Sequence, residues 1–514
     1  MLHVLALGLA ALLCSTPVMA QETLLRTRLN SDIRSTDPGT NRDANTDAVV
    51  QHVVEGLVAY REDTSIGPLL AERVDQSEDG RTYTFTLRQG VRFHNGAVLT
   101  SADVKFAWDR YMRRETNWRC LPEFDGRGAA RVTAVETPDP LTVVFQLAEP
   151  SALFLANMAR VDCGGTGIWH RDSLNADGSW RTPVGTGPYR LGEWRRGQFV
   201  ELMRFPDYVA RVGERDGYTG NKAAFVDRIR WLIIPDAAAA KAALLSNTID
   251  VIPDINSEDL PEYRARSDIR TSSTQTMGVM ALLFQTRDPL LRDVRLRRAI
   301  ALSLDLPEMA RALSDGHSEY NPSIIPSRSP ANGEAQREGY RRDLNEARRL
   351  LREAGYRGQT IRMLTTQRYS SVFDAAVMAQ AMAKEAGINI EFDVLDWATL
   401  LDRYTRGDYA MMAFTYSARL DPSLSFEMVS GPKDAQPRKT WDNPEGLERL
   451  RESMRISDPA RRQALFDDLH RRFIADVPMI TLYNDANIAA FRANVTGFQT
   501  WPTGQPRFWG VRVR

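Results

Sequence analysis

Lysine is nearly missing from this 514-residue chain: six lysines stand against 60 arginines, a skew that a GC-rich genome explains without any function. Net charge is missing too. Lys and Arg total 66, Asp and Glu total 66, and a balance of this kind makes no electrostatic footprint for nucleic acid or an anionic membrane. Any partner must be recognised locally. Six histidines are scattered singly, and the chain holds no GxxxxGK[ST], GxSxG, HExxH or CxxC pattern. That leaves no phosphate loop, no signposted nucleophile and no ready metal-ligand set, so neither a metal nor a cofactor is expected. Asp and Glu are plentiful, but nothing ranks one carboxylate pair above another; a secreted hydrolase of peptides or glycans stays open as an alternative. After residue 20 no run approaches the 18 apolar residues that a membrane span needs.

The first 20 residues, MLHVLALGLAALLCSTPVMA, form a short apolar run without Asp, Glu, Lys or Arg, ending in small-x-small spacing at Val18 and Ala20. We read 1–20 as a cleaved secretory leader with Gln21 as the mature start. Cys14 follows Leu13, where a lipid-attachment motif wants a small residue, so export as a soluble periplasmic protein is expected over a lipoprotein. Two cysteines then remain, Cys120 and Cys163. In an oxidising compartment they read as one disulfide closing a loop of about forty residues, with two buried thiols as the alternative.

The mature chain changes texture near residue 290. Before it, short strands dominate: 82–88 alternates apolar and polar side chains, 141–147 and 199–204 follow, and Thr100 with Asp103 makes a capping-box start for a helix over 101–112. After it, helices predicted at 294–304, 345–354, 373–386, 400–405 and 459–474 alternate with strands at 388–394, 409–416 and 479–483. This order predicts βαβ units on a mostly parallel sheet. The tail from 484 is strand-like and aromatic like the first half. We therefore expect lobe 1 over 21–275, lobe 2 over 276–483, a return to lobe 1 over 484–514, and two hinge crossings near 275–284 and 483–488.

Four blocks carry a resemblance over nearly the whole mature chain: LLAERVDQSEDGRTYTFTLRQGVRFHNGAVLTSADVKFAWDRY (70–111), PVGTGPYRLGEWRRGQFVELMRFPDY (183–208), LLFQTRDPLLRDVRLRRAIALSLD (282–305) and DLNEARRLLREAGY (343–356). Together they resemble the solute-binding proteins of bacterial ABC importers, the dipeptide, oligopeptide and nickel type. The resemblance implies an α/β two-lobed periplasmic-binding-protein fold with a third subdomain, about 56–183, inserted in lobe 1. It also implies a monomeric, non-enzymatic receptor that captures a small molecule or peptide and delivers it to a permease driven by ATPase subunits. We expect its signature glycines, Gly80, Gly185 and Gly187 among them, to set turns rather than touch ligand.

Peptide binders of this family hold the ligand's amino terminus with an Asp just after an aromatic residue and shortly before an acidic-Pro pair. The matching stretch runs from Phe414 to Pro422, and the anchor position falls on Ala418 or, with one residue deleted, on Arg419. Neither is acidic. A buried ammonium without a carboxylate is costly, whereas an arginine clamps a carboxylate or phosphate with two parallel hydrogen bonds. Arg419 is thus the leading ligand candidate, with pairing to Asp421 or a solvent-facing position as its structural alternatives. Ser417 beside it, Tyr416 and Trp397 as apolar walls, and the loop of Asn30, Ser31 and Asp32 complete the candidate site. Gln285 reads as structural.

Overall fold

The computed structural model describes residues 22–40, 44–128, 130–417 and 419–514. The predicted leader and Ala418 lie outside them. Three sheets organise the chain. A seven-stranded sheet runs in the order Ile269–Gln275, Ala486–Arg492, Val251–Ile252, Leu24–Leu29, Arg228–Ile233, Phe199–Arg204 and Tyr189–Arg195. Between its first strand in sequence, Leu24–Leu29, and Tyr189–Arg195, the chain forms a separate four-stranded antiparallel sheet of Ala71–Gln76, Thr82–Leu87, Thr142–Leu147 and Val132–Asp139. A five-stranded sheet follows, ordered Ile390–Val394, Ile361–Thr365, Met411–Tyr416, Val279–Phe284 and Met479–Tyr483. The molecule is therefore mixed α/β and two-lobed, the smaller sheet being a subdomain of the first lobe.

Each sheet owes its form to local sequence. Thr82–Leu87 buries Tyr83, Phe85 and Leu87 and leaves its threonines half-exposed, the alternation of a strand with one face on a core. Val279–Phe284 is buried at every position, as a central strand covered on both faces must be. Helix Ser101–Tyr111 starts where Thr100 N–H donates to the Asp103 carboxylate at 2.9 Å, one arm of the expected capping box. Three predicted helices are longer than their periodicity indicated. Ser370–Glu385 starts at a polar pair that carries no apolar signal; Trp397–Arg406 starts where Asp396 accepts from Thr399 N–H; Pro459–Asp476 runs to Val477 in a left-handed cap. Pro422–Val429, begun by Asp421 and Pro422, is a helix the sequence reading missed.

Gly185 and Gly187 work differently from the turn role expected of them. A Cβ on Gly185 would lie 2.0 Å from the Val53 carbonyl oxygen, and one on Gly187 2.4 Å from that of His52. They let two backbone segments touch, and neither has a positive φ. The same contact is held by buried ions. Glu55 pairs with Lys222 at 3.1 Å, both side chains 1% exposed, and also accepts from the hydroxyls of Thr186 and Tyr208. Both oxygens of that buried carboxylate are thereby engaged.

The chain passes between the two large sheets twice, from Gln275 to Val279 and from Tyr483 to Ala486. These crossings are tied together: Thr276 N–H donates to the Asp485 carbonyl at 2.6 Å and Asn484 Nδ2 to that of Gly278 at 2.8 Å. A Cβ on Gly278 would sit 2.7 Å from Asp485 Oδ2, so a larger residue here would push the Asp485 carboxylate aside.

Candidate functional site

Strand direction determines where the two lobes meet. In the five-stranded sheet Ile361–Thr365, Ile390–Val394 and Met411–Tyr416 run parallel, and Val279 pairs with Tyr416, which puts the first crossing at their carboxyl ends. In the seven-stranded sheet Leu24–Leu29 runs parallel to Arg228–Ile233 and Val251–Ile252, and Gln275 pairs with Ala486, again at the carboxyl edge. Both sheets thus turn their carboxyl edges toward the crossings, and the loops leaving those edges bound a cleft, the usual ligand position in open α/β sheets.

A cavity of about 670 Å³ lies there, within the usual range of small-ligand sites. From the second lobe it takes Ser417, Arg419, Leu420, Leu424 and Glu427, which leave the end of Met411–Tyr416 and continue into Pro422–Val429. From the first it takes Asp47, Tyr60, Arg119, Glu123, Arg160 and Asp162, and from the carboxyl-terminal return Thr503 and Gln505.

The first-lobe wall is a charge network built on the disulfide. Cys120 and Cys163 are bonded, with Cα atoms 5.5 Å apart. Arg119 and Asp162, the residues immediately before each cysteine, pair at 2.9 Å; Arg160 donates to Asp162 at 2.9 Å and to Glu123 at 3.2 Å. Burial raises the affinity of Asp162 for a proton, but Arg160, Arg119 and Arg419 together outweigh it and hold the carboxylate below its ordinary range. Arg419, arriving from the opposite lobe, feels this wall. Burial and the neighbouring Arg160 guanidinium weaken its hold on its proton, while Asp162 and Glu427 act the other way. Two guanidinium groups of like sign from two lobes are thereby brought to one cavity, with carboxylates on either side. The arrangement can hold an anionic group between the arginines and hydrogen-bond a polar chain along the acids.

The other candidate residues are distributed unevenly. Ser417 Oγ accepts from Arg419 Nη1 at 2.9 Å and stays with it on the cavity. Arg419 does not pair with Asp421, whose carboxylate takes Arg462 at 2.8 and 3.0 Å. Tyr416 does not form a ligand-facing wall: it is 6% exposed, packed on Phe414, with its hydroxyl 3.3 Å from that of Tyr404. It points into the core because Phe414 and Tyr416, two residues apart on a strand, share the face that packs against the helices. Trp397 stacks on Phe414 with centroids 5.7 Å apart and is half-buried at the carboxyl edge, outside the cavity. Asn30 borders a smaller adjoining pocket, and Ser31 binds Asn45. Asp32 turns away, accepting from Trp194 Nε1 at 3.0 Å and Gly197 N–H at 2.9 Å, an anchor for the neighbouring hairpin. Gln285 lies at the opposite, amino edge, donating to Gly407 O and accepting from Lys433. Among the described residues no group of three His, Cys, Asp or Glu is placed to hold a metal ion, and no helix is long and apolar enough to cross a membrane.

Comparison with known proteins agrees with this architecture. The model of the bacterial extracellular solute-binding proteins, family 5 (middle), matches residues 65–436. The dipeptide-binding protein of Escherichia coli K12 is 25% identical over 502 residues, covering 92% of this chain and 91% of the relative. The glutathione-binding protein GsiB of Salmonella paratyphi A is 23% identical over 509 residues, covering 97% and 96%. Among solved structures, HbpA2 from Haemophilus parasuis superposes with a TM-score of 0.82 at 23% identity, covering 96% of this chain and 100% of its own.

Proposed function

We propose, because this chain belongs to the bacterial extracellular solute-binding proteins of family 5, that it is the receptor of an ABC importer, exported to the periplasm, where as a monomer it captures a small peptide or peptide-like molecule bearing a carboxylate. The observation that carries the reading is the cavity shared between lobes, with Arg419 on one wall and Arg160 and Asp162 on the other. A ligand that touches both walls stabilises the arrangement in which they are close, and that arrangement is what a permease with its ATPase subunits can distinguish from the open receptor. Binding energy does the work and no bond is broken. Relatives that bind dipeptide and glutathione support a peptide-like ligand, while the absence of an acid at Arg419 favours a ligand held by its anionic end. Neither the family nor the site supports the secreted-hydrolase alternative.

The test is a thermal-shift panel of free, amino-blocked and carboxyl-blocked dipeptides and tripeptides, with glutathione, run beside turnover assays on peptide and ester substrates. Stabilisation by ligands with a free carboxylate and no turnover is expected. Turnover, or stabilisation only by carboxyl-blocked ligands, would overturn the reading.

A further inference from the structure

The cavity between the lobes does not end at its own walls. Ala44 and Gln505 also line an adjoining compartment of about 160 Å³ that extends along the carboxyl edge of the seven-stranded sheet. Its polar lining includes Arg28 and Asn30 at the end of Leu24–Leu29, Trp231 within Arg228–Ile233 and Asp254 just after Val251–Ile252, with Asn45 and Gln505 contributed from outside the sheet. Arg28 and Asp254 in turn border a third depression of about 170 Å³, so the concavity continues past them.

One residue lining this compartment carries a buried donor that lacks what every buried donor needs. Trp231 is fully buried, wedged edge-on against His52 and Phe508, yet its indole Nε1 has no hydrogen-bond partner among the described residues. An unmade bond from a buried donor costs about 1–3 kcal/mol, and native proteins rarely leave one unless something else fills it. Asp254 lines the same compartment and is only loosely engaged, 3.8 Å from Arg28, whose guanidinium is already committed to the carbonyls of Ile234 and Pro235 at 2.9 Å each. Burial raises the affinity of Asp254 for its proton, with Arg28 opposing. The compartment thus offers one donor and one acceptor, each with capacity to spare, beyond Ala44 and Gln505 from the arginines of the main cavity.

We infer that this compartment is a second ligand subsite, which receives the end of an elongated ligand remote from Arg419: Trp231 Nε1 donates to a ligand carbonyl or hydroxyl oxygen, and Asp254 accepts from a ligand ammonium or amide. The inference rests on the receptor reading above and adds to it a ligand polarity. The anionic end lies between the lobes, and the hydrogen-bonding or cationic end lies in the first lobe. An acid from the first lobe thereby takes the place of the one missing beside Tyr416.

Isothermal titration of dialanine, trialanine and tetra-alanine into the wild type, Trp231→Phe and Asp254→Asn tests it. Trp231→Phe removes the N–H and keeps the ring, so the unliganded melting temperature is expected to stay within a degree or two of wild type. Trialanine and tetra-alanine are expected to lose five- to tenfold in affinity in both variants, and dialanine less than twofold. Unchanged affinity for the longer peptides, or an equal loss at every length, would overturn the subsite while leaving the receptor reading intact. If no alanine peptide binds the wild type, the peptide reading fails; the solute that co-purifies with the wild type then becomes the probe, and undiminished retention of it by Trp231→Phe would overturn the subsite as well.

Discussion

Arg119 and Asp162 pair at 2.9 Å across the cavity wall, and each is the residue immediately before a disulfide cysteine. The bond from Cys120 to Cys163 therefore does more than close a loop: it fixes the separation of two charged groups that face the cleft. Arg160, three residues before Cys163, completes the network through Asp162 and Glu123. The site's first-lobe half is thus built on a covalent clamp in an otherwise loop-rich stretch.

Opening that clamp has two expected consequences. With the cysteines 43 positions apart in the sequence, chain entropy assigns the bond about 4 kcal/mol of stability. Cys120→Ser with Cys163→Ser should lower the urea midpoint accordingly and also weaken ligand binding, because Arg119 and Asp162 lose their fixed spacing. Thiol labelling of the exported wild type should find no free cysteine; two labelled thiols would refute the bond.

Arg419 and Arg462 separate binding from folding. Arg419→Ala should weaken ligand at least tenfold, about 1.4 kcal/mol, with the unliganded melting temperature nearly unchanged. Arg462→Ala strands the carboxylate of Asp421, which is 8% exposed and begins the helix Pro422–Val429, and should cost about 3–5 kcal/mol of stability. Calorimetric titration and urea unfolding of both variants distinguish the two roles; a mere folding loss in Arg419→Ala would remove it from the site.

The Glu55–Lys222 pair makes a second stability prediction. Both side chains are 1% exposed, so Lys222→Met leaves an uncompensated buried carboxylate and should destabilise by about 3–5 kcal/mol. The double variant with Glu55→Gln should recover part of the loss. Urea midpoints that fall further in the double variant would contradict an ionic origin.

Between the crossings, burial pushes the Asp485 carboxyl up from 3.8 to about 6, with the Thr415 hydroxyl working against it; Tyr483 is the titratable neighbour. A folded value above the unfolded one means the folded protein binds the proton more tightly. The contribution of Asp485 is therefore fully present below about pH 4 and is lost as pH rises through about 6. Asp485→Asn should be more stable than wild type at pH 7, with the gap closing toward pH 4. Parallel stability curves for the two proteins across that window would count against a buried hinge carboxyl.

Legibility in the sequence followed periodicity. Strands such as Thr82–Leu87 and helices such as Leu344–Glu353, capped by Asp343, were readable because one face is apolar and the ends carry cap residues. Arg419 and Ser417 could be singled out because a departure from a family motif marks a position. Arg160, Asp162 and Arg119 could not: they lie in 3₁₀ turns and loops with no repeat, and only spatial pairing makes them a wall. The one available signal was adjacency, a charged residue directly before each of two lone cysteines. Tyr416 was misplaced for a related reason, since sequence does not say which face of a strand looks at a cleft and which at helices.

The central claim, that a solute bearing an anionic group is held between the lobes by Arg419 and Arg160, is tested most directly by native mass spectrometry of wild type, Arg419→Ala and Arg160→Ala purified from periplasm. The account predicts a carboxylate-bearing solute on the wild type that is lost, or bound at least tenfold more weakly, in both variants. Equal occupancy in all three proteins would contradict it.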